Sequence, residues 1–181
     1  MKILILNGSN GSAGLDTAIE KLKSAIKDKN YDLAELKLNS MNYSPCRGCF
    51  NCWVKTPGSC VFKDDGEIIC REFITSDMVI AAAPLVLGYP AATVKNAIDR
   101  AIPLVHPYLE EVGGEAHHMK RYSRYPSMAL LLEKETDTDS GDMDIVRDIF
   151  TRAAINLRSR LAFIKYTDED LKGVIDEADI Y

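Results

Sequence analysis

Short, mainly apolar runs alternate along the chain with longer stretches in which apolar residues recur every three or four positions. Runs without polar interruption are typical of strands that are covered on both faces of a parallel sheet. The longer stretches are typical of helices with one apolar face. Continuous apolar runs predict strands at Lys2–Leu6, Met78–Ala83 and Met128–Leu132. The alternation with helices predicts two more strands, at Tyr31–Leu38 and Leu161–Tyr166, which makes five.

Helices are predicted in the intervals between those strands. They cover a stripe from Leu15 to Ile26, then Gly66–Thr75, Ala91–Ile102 and Asp142–Arg158, with a short closing helix at Asp168–Ala178. Strands that alternate with helices indicate an α/β fold, a doubly wound parallel sheet with helices on both faces. The brevity of the chain favours the flavodoxin-like strand order 2-1-3-4-5.

At 181 residues, the chain is long enough for one full core and too short for two comfortable domains. One domain over residues 1–181 is expected. Two segments interrupt its pattern: a cysteine-rich loop at about residues 42–62 and an excursion at about residues 103–125. The excursion contains prolines and a Gly113-Gly114 pair and has little periodicity, so it is expected to be irregular.

Acidic residues outnumber basic ones by 27 to 22, which gives a net charge of −5. This balance argues against a nucleic-acid partner, because binding to a phosphate backbone needs a concentrated basic face. No apolar run approaches the length of a membrane span, and the apolar start Met1–Leu6 is too short for a signal peptide. The protein is expected in the cytoplasm, where cysteines stay reduced.

Four of the five cysteines are concentrated in one short stretch. Cys46, Cys49, Cys52 and Cys60 follow one another at spacings of two, two and seven intervening residues. Thiolates at such spacing can converge on one soft metal centre, and three in a single run fit a cubane iron–sulfur cluster better than a zinc ribbon. Zinc and a loop of thiols without metal are the alternatives. Cys70, on a predicted helix, is interpreted as a small buried apolar residue.

Two loops follow central strands at the sheet edge where doubly wound folds bind ligands, Gly8–Thr17 and Pro84–Pro90. The first loop is rich in Gly, Ser and Asn and opens a helix, so it offers backbone N–H groups and the positive helix end to a phosphate. It matches neither the Gly-x-Gly-x-x-Gly fingerprint nor the P-loop. A monophosphate is therefore expected rather than a dinucleotide or a triphosphate.

Several motifs in a fixed order carry a family resemblance. They are Ile5-Leu6-Asn7-Gly8-Ser9, Cys46-Arg47-Gly48-Cys49-Phe50-Asn51-Cys52-Trp53, Thr56-Pro57-Gly58-Ser59-Cys60, Lys63-Asp64-Asp65, Ser76-Asp77, Ala83-Pro84 and Lys95-Asn96-Ala97-Ile98-Asp99-Arg100. With these motifs the chain, over roughly Met1 to Pro107, resembles the NAD(P)H-dependent FMN reductases and iron–sulfur flavoproteins of the flavodoxin-like superfamily.

The resemblance implies that the chain binds FMN and uses NAD(P)H as electron donor. It implies a phosphate site at Ser9, Asn10, Ser12, Asp16 and Thr17, and an isoalloxazine site at Pro84, Leu85, Val86, Leu87 and Gly88. It also suggests a homo-oligomer, a dimer or a tetramer. Lys95, Asp99 and Arg100 match a segment of structural rather than cofactor-binding residues.

The chain departs from the family pattern in three places. The phosphate loop has Asn10-Gly11-Ser12 where members usually carry an arginine, and Asp16 is close by. The aromatic residue that in the family often comes directly after the proline equivalent to Pro84 is replaced, which leaves Leu85-Val86-Leu87. The paired-glycine loop after the fourth strand is replaced by Glu133-Lys134-Glu135-Thr136.

The function implied is that of an FMN-dependent NAD(P)H oxidoreductase that passes electrons to an unknown acceptor. Hydride transfer to a flavin requires no protein acid or base, so no catalytic residue is predicted. The alternatives are an electron carrier with FMN and a [4Fe–4S] cluster that uses no nicotinamide, and a flavodoxin-like binding module that has lost flavin.

Overall fold

The computed structural model describes residues 1–171 and 173–177. Within them the strands, in chain order, are β1 Lys2–Asn7, β2 Asp32–Lys37, β3 Met78–Val86, β4 Tyr89–Pro90, β5 Val105–Val112, β6 Glu115–Lys120, β7 Ser127–Glu133 and β8 Leu161–Tyr166. The α-helices are α1 Ala13–Asp28, α2 Asn51–Val54, α3 Gly66–Thr75, α4 Ala92–Asp99, α5 Ser140–Asn156 and α6 Val174–Glu177.

The central sheet has the order β2-β1-β3-β7-β8, with all four neighbouring pairs parallel. These are the five predicted strands in the order 2-1-3-4-5, so the flavodoxin-like doubly wound fold is confirmed. The central strands are buried on both faces, as their uninterrupted apolar runs require. All five carboxyl ends lie at one edge of the sheet.

The two faces of the sheet carry different helices. In β1, Leu4 and Leu6 pack toward one apolar cluster and Ile3 and Ile5 toward the other, because successive side chains of a strand point to opposite faces. The first cluster contains buried residues of α3, α4 and α5, and the second contains those of α1 and α6. Full burial of each such aliphatic side chain stabilises the fold by about 1.5–3 kcal/mol.

The segment 103–125 is regular through Lys120, contrary to the expectation of an irregular excursion. After a 3₁₀ turn at Ile102–Leu104, β5 and β6 form an antiparallel hairpin. Gly113 and Gly114 make its tight turn with φ of 61° and 85°, a conformation that suits a two-residue hairpin loop. The glycine pair was thus a hairpin signal, which the prolines around it obscured.

Some boundaries also differ from those predicted. Strand β3 continues through Pro84 and Leu85 to Val86, and the chain then turns back to pair through Tyr89–Pro90. Helix α4 stops at Asp99, three residues before the predicted end. The closing helix lies inside the predicted Asp168–Ala178, of which Lys172 and Ala178 are outside the described residues.

In the described ranges 1–171 and 173–177, helices long and apolar enough to cross a bilayer do not occur.

Candidate cofactor site

The loop after β1 is held in place by side chains from the strand and from the neighbouring connection. Asn7 Oδ1 accepts the Ser9 backbone N–H at 2.9 Å, while Asn7 Nδ2 donates to Glu35 Oε1 at 2.7 Å. Ser9 Oγ accepts the Gly11 N–H at 3.2 Å, and Asn39 Nδ2 donates to the Ser9 carbonyl at 2.6 Å. These hydrogen bonds fix the path of the loop backbone.

Close packing against α4 fixes the path of this loop. A Cβ on Gly8 would lie 2.7 Å from Val94 Cγ2 and 3.1 Å from the Ala82 carbonyl oxygen. Only glycine fits this position. Gly11 has a φ of 94°, which favours glycine as well.

The start of α1 presents free donors to solvent. Ser12 is the N-cap residue, but its side chain makes no capping hydrogen bond. Within the described chain, the N–H groups of Asn10, Ala13 and Gly14 have no acceptor, and all three residues are exposed. Backbone donors at the positive end of a helix suit a phosphate group, so this loop fits the phosphate of FMN.

Asp16 and Thr17 are placed differently from the rest of the predicted phosphate residues. Both line a shallow groove on the outer surface of α1 with Glu20, Lys21 and Ser24. The Thr17 hydroxyl donates to the Ala13 carbonyl at 2.7 Å and is thereby engaged in its own helix. The structure therefore brings Ser9, Asn10 and Ser12 together at the loop.

The loop after β3 divides the predicted ring-binding residues into two groups. Pro84 and Leu85 are buried in the core, whereas Val86 and Leu87 are 51% and 94% exposed. Leu87 and Gly88 both have positive φ, 54° and 73°, and form the tight turn into β4. An apolar ring can therefore be contacted by Val86 and Leu87 and by the backbone of Gly88.

Two glutamates that were not predicted as site residues reach these two loops. Ser12 Oγ donates to Glu133 Oε1 at 2.6 Å, and a Cβ on Gly14 would lie only 2.5 Å from the same oxygen. Glu135 accepts the Leu87 N–H on Oε1 at 2.9 Å and the Gly88 N–H on Oε2 at 2.8 Å. Their signal in the sequence was the replacement of the family's paired glycines.

The Glu135 carboxylate is held in its charged form by the turn. The backbone N–H groups of Gly88 and Leu87 lower the pKa of Glu135 below its usual value. Its own backbone N–H donates to Thr138 Oγ1 at 2.9 Å, which fixes the start of the segment leading to α5. The site therefore carries a fixed negative charge at neutral pH.

A cavity of about 340 Å³ lies beside the cysteine-rich loop. Its walls come from the loop, from residues 98–103 at the end of α4 and from the end of α5. All four predicted metal ligands, Cys46, Cys49, Cys52 and Cys60, line it. The donor set has the chemistry that an iron–sulfur cluster requires.

The four thiols are not drawn into one metal centre. Among residues 1–171 and 173–177, no three His, Cys, Asp or Glu side chains are arranged to share a metal ion. Cys46 and Cys49 are exposed, while burial, together with the nearby Cys60, Cys46 and Cys49, raises the pKa of Cys52. A cluster would therefore require the loop to contract around it.

An ion pair between the buried Arg100 and the half-buried Asp64 closes the base of the cysteine-rich loop. Arg100 is 2% exposed and donates from Nη1 and Nη2 to the two carboxylate oxygens of Asp64 at 2.9 and 2.6 Å. Arg100 Nη1 also donates to the Ser44 carbonyl at 2.7 Å, and Asp64 accepts the Ser44 N–H at 3.1 Å. The pair thus ties residue 44 to residue 64, which supports the structural role predicted for Arg100.

Hydrogen bonds outweigh desolvation at Asp64. Burial alone would raise its pKa, but donors from Arg100, Ser44 and Gly66 leave the pKa of Asp64 below its usual value. Gly66 is required beside the pair, because a Cβ there would lie 2.3 Å from Arg100 Nη2. These contacts anchor the start of α3 to the end of α4.

Trp53 connects the cysteine cavity to the hairpin. Its ring stacks on Phe50 with centroids 5.5 Å apart and lies 5.1 Å from the His118 ring. Trp53 Nε1 donates to the Val105 carbonyl at 3.0 Å. Trp53 therefore packs between the loop and the hairpin, as a structural wall of the cavity.

Comparison with known proteins places these features in a family. A sequence model of the NADPH-dependent FMN reductase family matches residues 1–120. An iron-sulfur flavoprotein of Archaeoglobus fulgidus is 32% identical over 97 residues, which make up 54% of this chain and 41% of that protein. The chain spans about half the length, or less, of the curated relatives it matches.

Solved structures share the fold over nearly the whole chain. The NAD(P)H:quinone oxidoreductase of Methanothermobacter marburgensis has a TM-score of 0.66 and 13% identity, with 98% of this chain and 91% of that chain covered. The FMN-dependent NADH-azoreductase of Bacillus anthracis, solved in complex with FMN, has a TM-score of 0.64 and 12% identity, with 98% and 93% covered. At these identities the likeness concerns the fold.

Proposed function

Because the chain belongs to the NADPH-dependent FMN reductase family, we propose that it is an FMN-dependent oxidoreductase that takes electrons from NAD(P)H. The observation that carries the proposal is the exposed loop at the start of α1, whose free N–H groups lie at the carboxyl edge of a flavodoxin-like sheet. FMN, when bound, supplies the group that accepts hydride and passes electrons on.

The protein contributes binding, orientation and a partly apolar surface. Ser9, Asn10 and Ser12 would hold the phosphate with the first N–H groups of α1. Val86 and Leu87 would contact the ring, and the turn at Gly88 would approach its polar edge. No side chain at the site is assigned a proton-transfer role, and the electron acceptor is a separate molecule that reaches the exposed ring.

Anaerobic titration with FMN, followed by NADH or NADPH, tests this function. Bound flavin absorption that bleaches on addition of a nicotinamide is expected, whereas bound flavin that does not bleach would favour an electron carrier. Absence of binding would favour a module that has lost flavin. FMN is expected to bind more tightly than FAD, since the loop offers one monophosphate cradle.

Replacement of Ser9 by Ala is expected to weaken FMN binding by about 1 kcal/mol, the usual net contribution of one hydrogen bond. Ser9 Oγ also orients the Gly11 N–H, so the loss acts on the loop as well as on the phosphate. Ser24→Ala is the matched control, because its hydroxyl bonds only within α1. Equal FMN affinity in both variants, measured by equilibrium dialysis, would place the phosphate elsewhere.

An iron–sulfur centre in the cysteine-rich loop is a second proposal. It is favoured by one observation, that Cys46, Cys49, Cys52 and Cys60 all line the same cavity. The naming of the relatives as iron-sulfur flavoproteins agrees with it. Four thiolates are the ligand set of a [4Fe–4S] cluster.

Anaerobic reconstitution with iron and sulfide tests the second proposal. About four iron atoms per chain and broad charge-transfer absorption are expected. Cys49→Ser should lose both, while Cys70→Ser should retain both, because Cys70 does not line the cavity. Reconstitution that fails in the unaltered protein, or that survives in Cys49→Ser, would contradict the assignment.

We also propose a cellular location and an oligomeric state for the protein. All five cysteines are free thiols, which suits a reducing compartment such as the cytoplasm. A dimer or tetramer is proposed from the family resemblance, and sedimentation at several protein concentrations measures it.

A further inference from the structure

One short segment places a carboxylate on each of the two loops assigned to FMN. Glu133 ends β7 and binds Ser12 at the start of α1, and Glu135 binds the N–H groups of Leu87 and Gly88. The two loops belong to different strands, β1 and β3, yet both are joined to the same three residues. The Ser12 hydroxyl and the N–H groups of the ring-binding turn are thus engaged with the protein itself, while, within the described residues, the other N–H groups at the start of α1 stay free.

We propose that Glu133–Lys134–Glu135, here named the carboxylate latch, competes with FMN for both of its binding loops and thereby makes FMN an exchangeable ligand. The inference rests on the proposed function and adds a property to it. Flavin binding requires the latch to release its contacts, and flavin dissociation allows them to form again. The latch therefore lowers FMN affinity.

Glu133 opposes phosphate binding because it is negatively charged and because it already accepts the hydrogen bond of the Ser12 hydroxyl. Its Oε1 accepts from the Ser12 hydroxyl at 2.6 Å and lies against Gly14 in the first turn of α1. A phosphate at the free N–H groups of this turn would meet a second anion. Unit charges about 4 Å apart repel appreciably even in water, so one of the two must move.

Glu135 opposes the ring through its hydrogen bonds. Both carboxylate oxygens are used, each with one N–H group of the turn between β3 and β4. These are charge-assisted bonds, which are stronger than neutral ones. A flavin that hydrogen-bonds to the same turn has to displace them.

Lys134 does not neutralise the latch. Its Nζ pairs with Asp168 Oδ2 at 3.0 Å and lies 4.8 Å from the centroid of the Tyr166 ring. The lysine is thus held at β8, and its pairing fixes the backbone between the two glutamates. The negative charges of the latch remain directed at the loops.

Binding of FMN and of riboflavin to single variants separates the two contacts. Glu133→Gln is expected to tighten FMN binding about fivefold and to leave riboflavin binding unchanged, because riboflavin has no phosphate. Glu135→Gln is expected to tighten binding of both ligands by a few-fold, since an amide oxygen is a weaker acceptor. Glu111→Gln changes the net charge equally at an exposed residue of β5 and should change neither.

A measurement without flavin checks that the latch forms in the free protein. Amide hydrogen exchange at Leu87 and Gly88 should be faster in Glu135→Gln than in the unaltered protein and in Glu111→Gln. Equal exchange rates in all three would overturn the contact, whatever the flavin affinities.

The FMN affinities of the two glutamate variants can also contradict the proposal. Weaker FMN binding in Glu133→Gln or Glu135→Gln would mean that the glutamates shape the site for the flavin, and unchanged binding would mean that they do not compete; either overturns the latch. In both cases FMN still binds, so the proposed function stands. If neither the unaltered protein nor the variants bind FMN, the proposed function and the latch are overturned together.

Discussion

At the scale of single residues, burial and hydrogen bonding decide which ionisable groups matter for stability. Arg100 is buried, Asp64 is half-buried, and the two tie together the ends of the cysteine-rich loop. Asp99 and Lys95 make an ion pair of the same kind on the surface, with both side chains more than 40% exposed. Both pairs lie in motifs that carried the family resemblance, yet the expected energies differ severalfold.

Replacement of Asp64 by Asn should lower the free energy of unfolding by about 3 kcal/mol at pH 7, because it leaves Arg100 buried without its counter-charge. Since the pKa of Asp64 is lowered on folding, the stabilisation is present above its unfolded pKa, about 3.9, and is lost as pH falls through the folded value. Urea unfolding at several pH values should show the difference between the two proteins narrowing below about pH 4.

Asp99→Asn is the control for that measurement. The exposed Lys95–Asp99 pair should contribute less than about 1 kcal/mol to the free energy of unfolding. Equal losses of unfolding free energy in the two variants would contradict the stabilising role assigned to the Asp64–Arg100 ion pair.

Thiol reactivity should follow exposure and pKa along the chain. Burial raises the pKa of Cys70 to about 12, and its thiol donates to the Arg100 carbonyl at 3.1 Å. The thiolate is the reactive form, so alkylation of Cys70 at pH 8 is expected to be slow. Iodoacetamide should label the exposed Cys46 and Cys49 first, as peptide mass spectrometry measures. Labelling of Cys70 as early as Cys46 and Cys49 in the native protein would contradict the burial of its thiol.

At the scale of elements, capping and turn chemistry position the segment that follows β7. Helix α5 begins with a capping box, in which Asp139 Oδ1 accepts the Asp142 N–H at 3.0 Å and Asp142 Oδ2 accepts the Asp139 N–H at 3.1 Å. The box fixes where the helix starts and hence where the preceding glutamates lie.

Asp139→Ala should lower the free energy of unfolding by about 1 kcal/mol, the usual cost of losing an N-cap. Asp137→Ala removes an exposed carboxylate two residues earlier and should cost much less. Thermal unfolding of the two variants compares them directly. A loss that is the same in both would mean that the capping box contributes nothing specific.

At the scale of the whole molecule, a ligand that binds only the folded chain must raise its stability. FMN at a hundredfold excess over its dissociation constant should add about 2.7 kcal/mol to the free energy of unfolding. For a chain of this size that corresponds to roughly 5–10 °C in Tm. Calorimetry with FMN, and with AMP as a ligand that lacks the flavin ring, measures the effect. A Tm that FMN leaves unchanged would contradict specific binding.

The order of strands and helices followed from the sequence because hydrophobic period is a local property. The apolar runs at Lys2–Leu6 and Met78–Ala83 are typical of strands buried on both faces, and both form interior strands of the sheet. The glycine-rich loop after β1 was equally local, because Gly8 and Gly11 stand where close packing and positive φ require glycine. The hairpin at 105–120 was missed because prolines masked the Gly113-Gly114 turn.

Only the tertiary structure decided what meets at the site, because those contacts join residues that are far apart in the chain. Glu133 reaches Ser12 across 121 positions and Glu135 reaches Leu87 across 48, and nothing near either glutamate in the sequence indicates its partner. The separation of Asp16 and Thr17 from the loop, and the burial of Pro84 and Leu85, likewise depend on how helix and sheet pack. The sequence by itself determined the flavodoxin-like order of strands, the glycine-rich loop after β1 and the cysteine-rich loop. Packing placed two carboxylates at the loops where the flavin is proposed to bind.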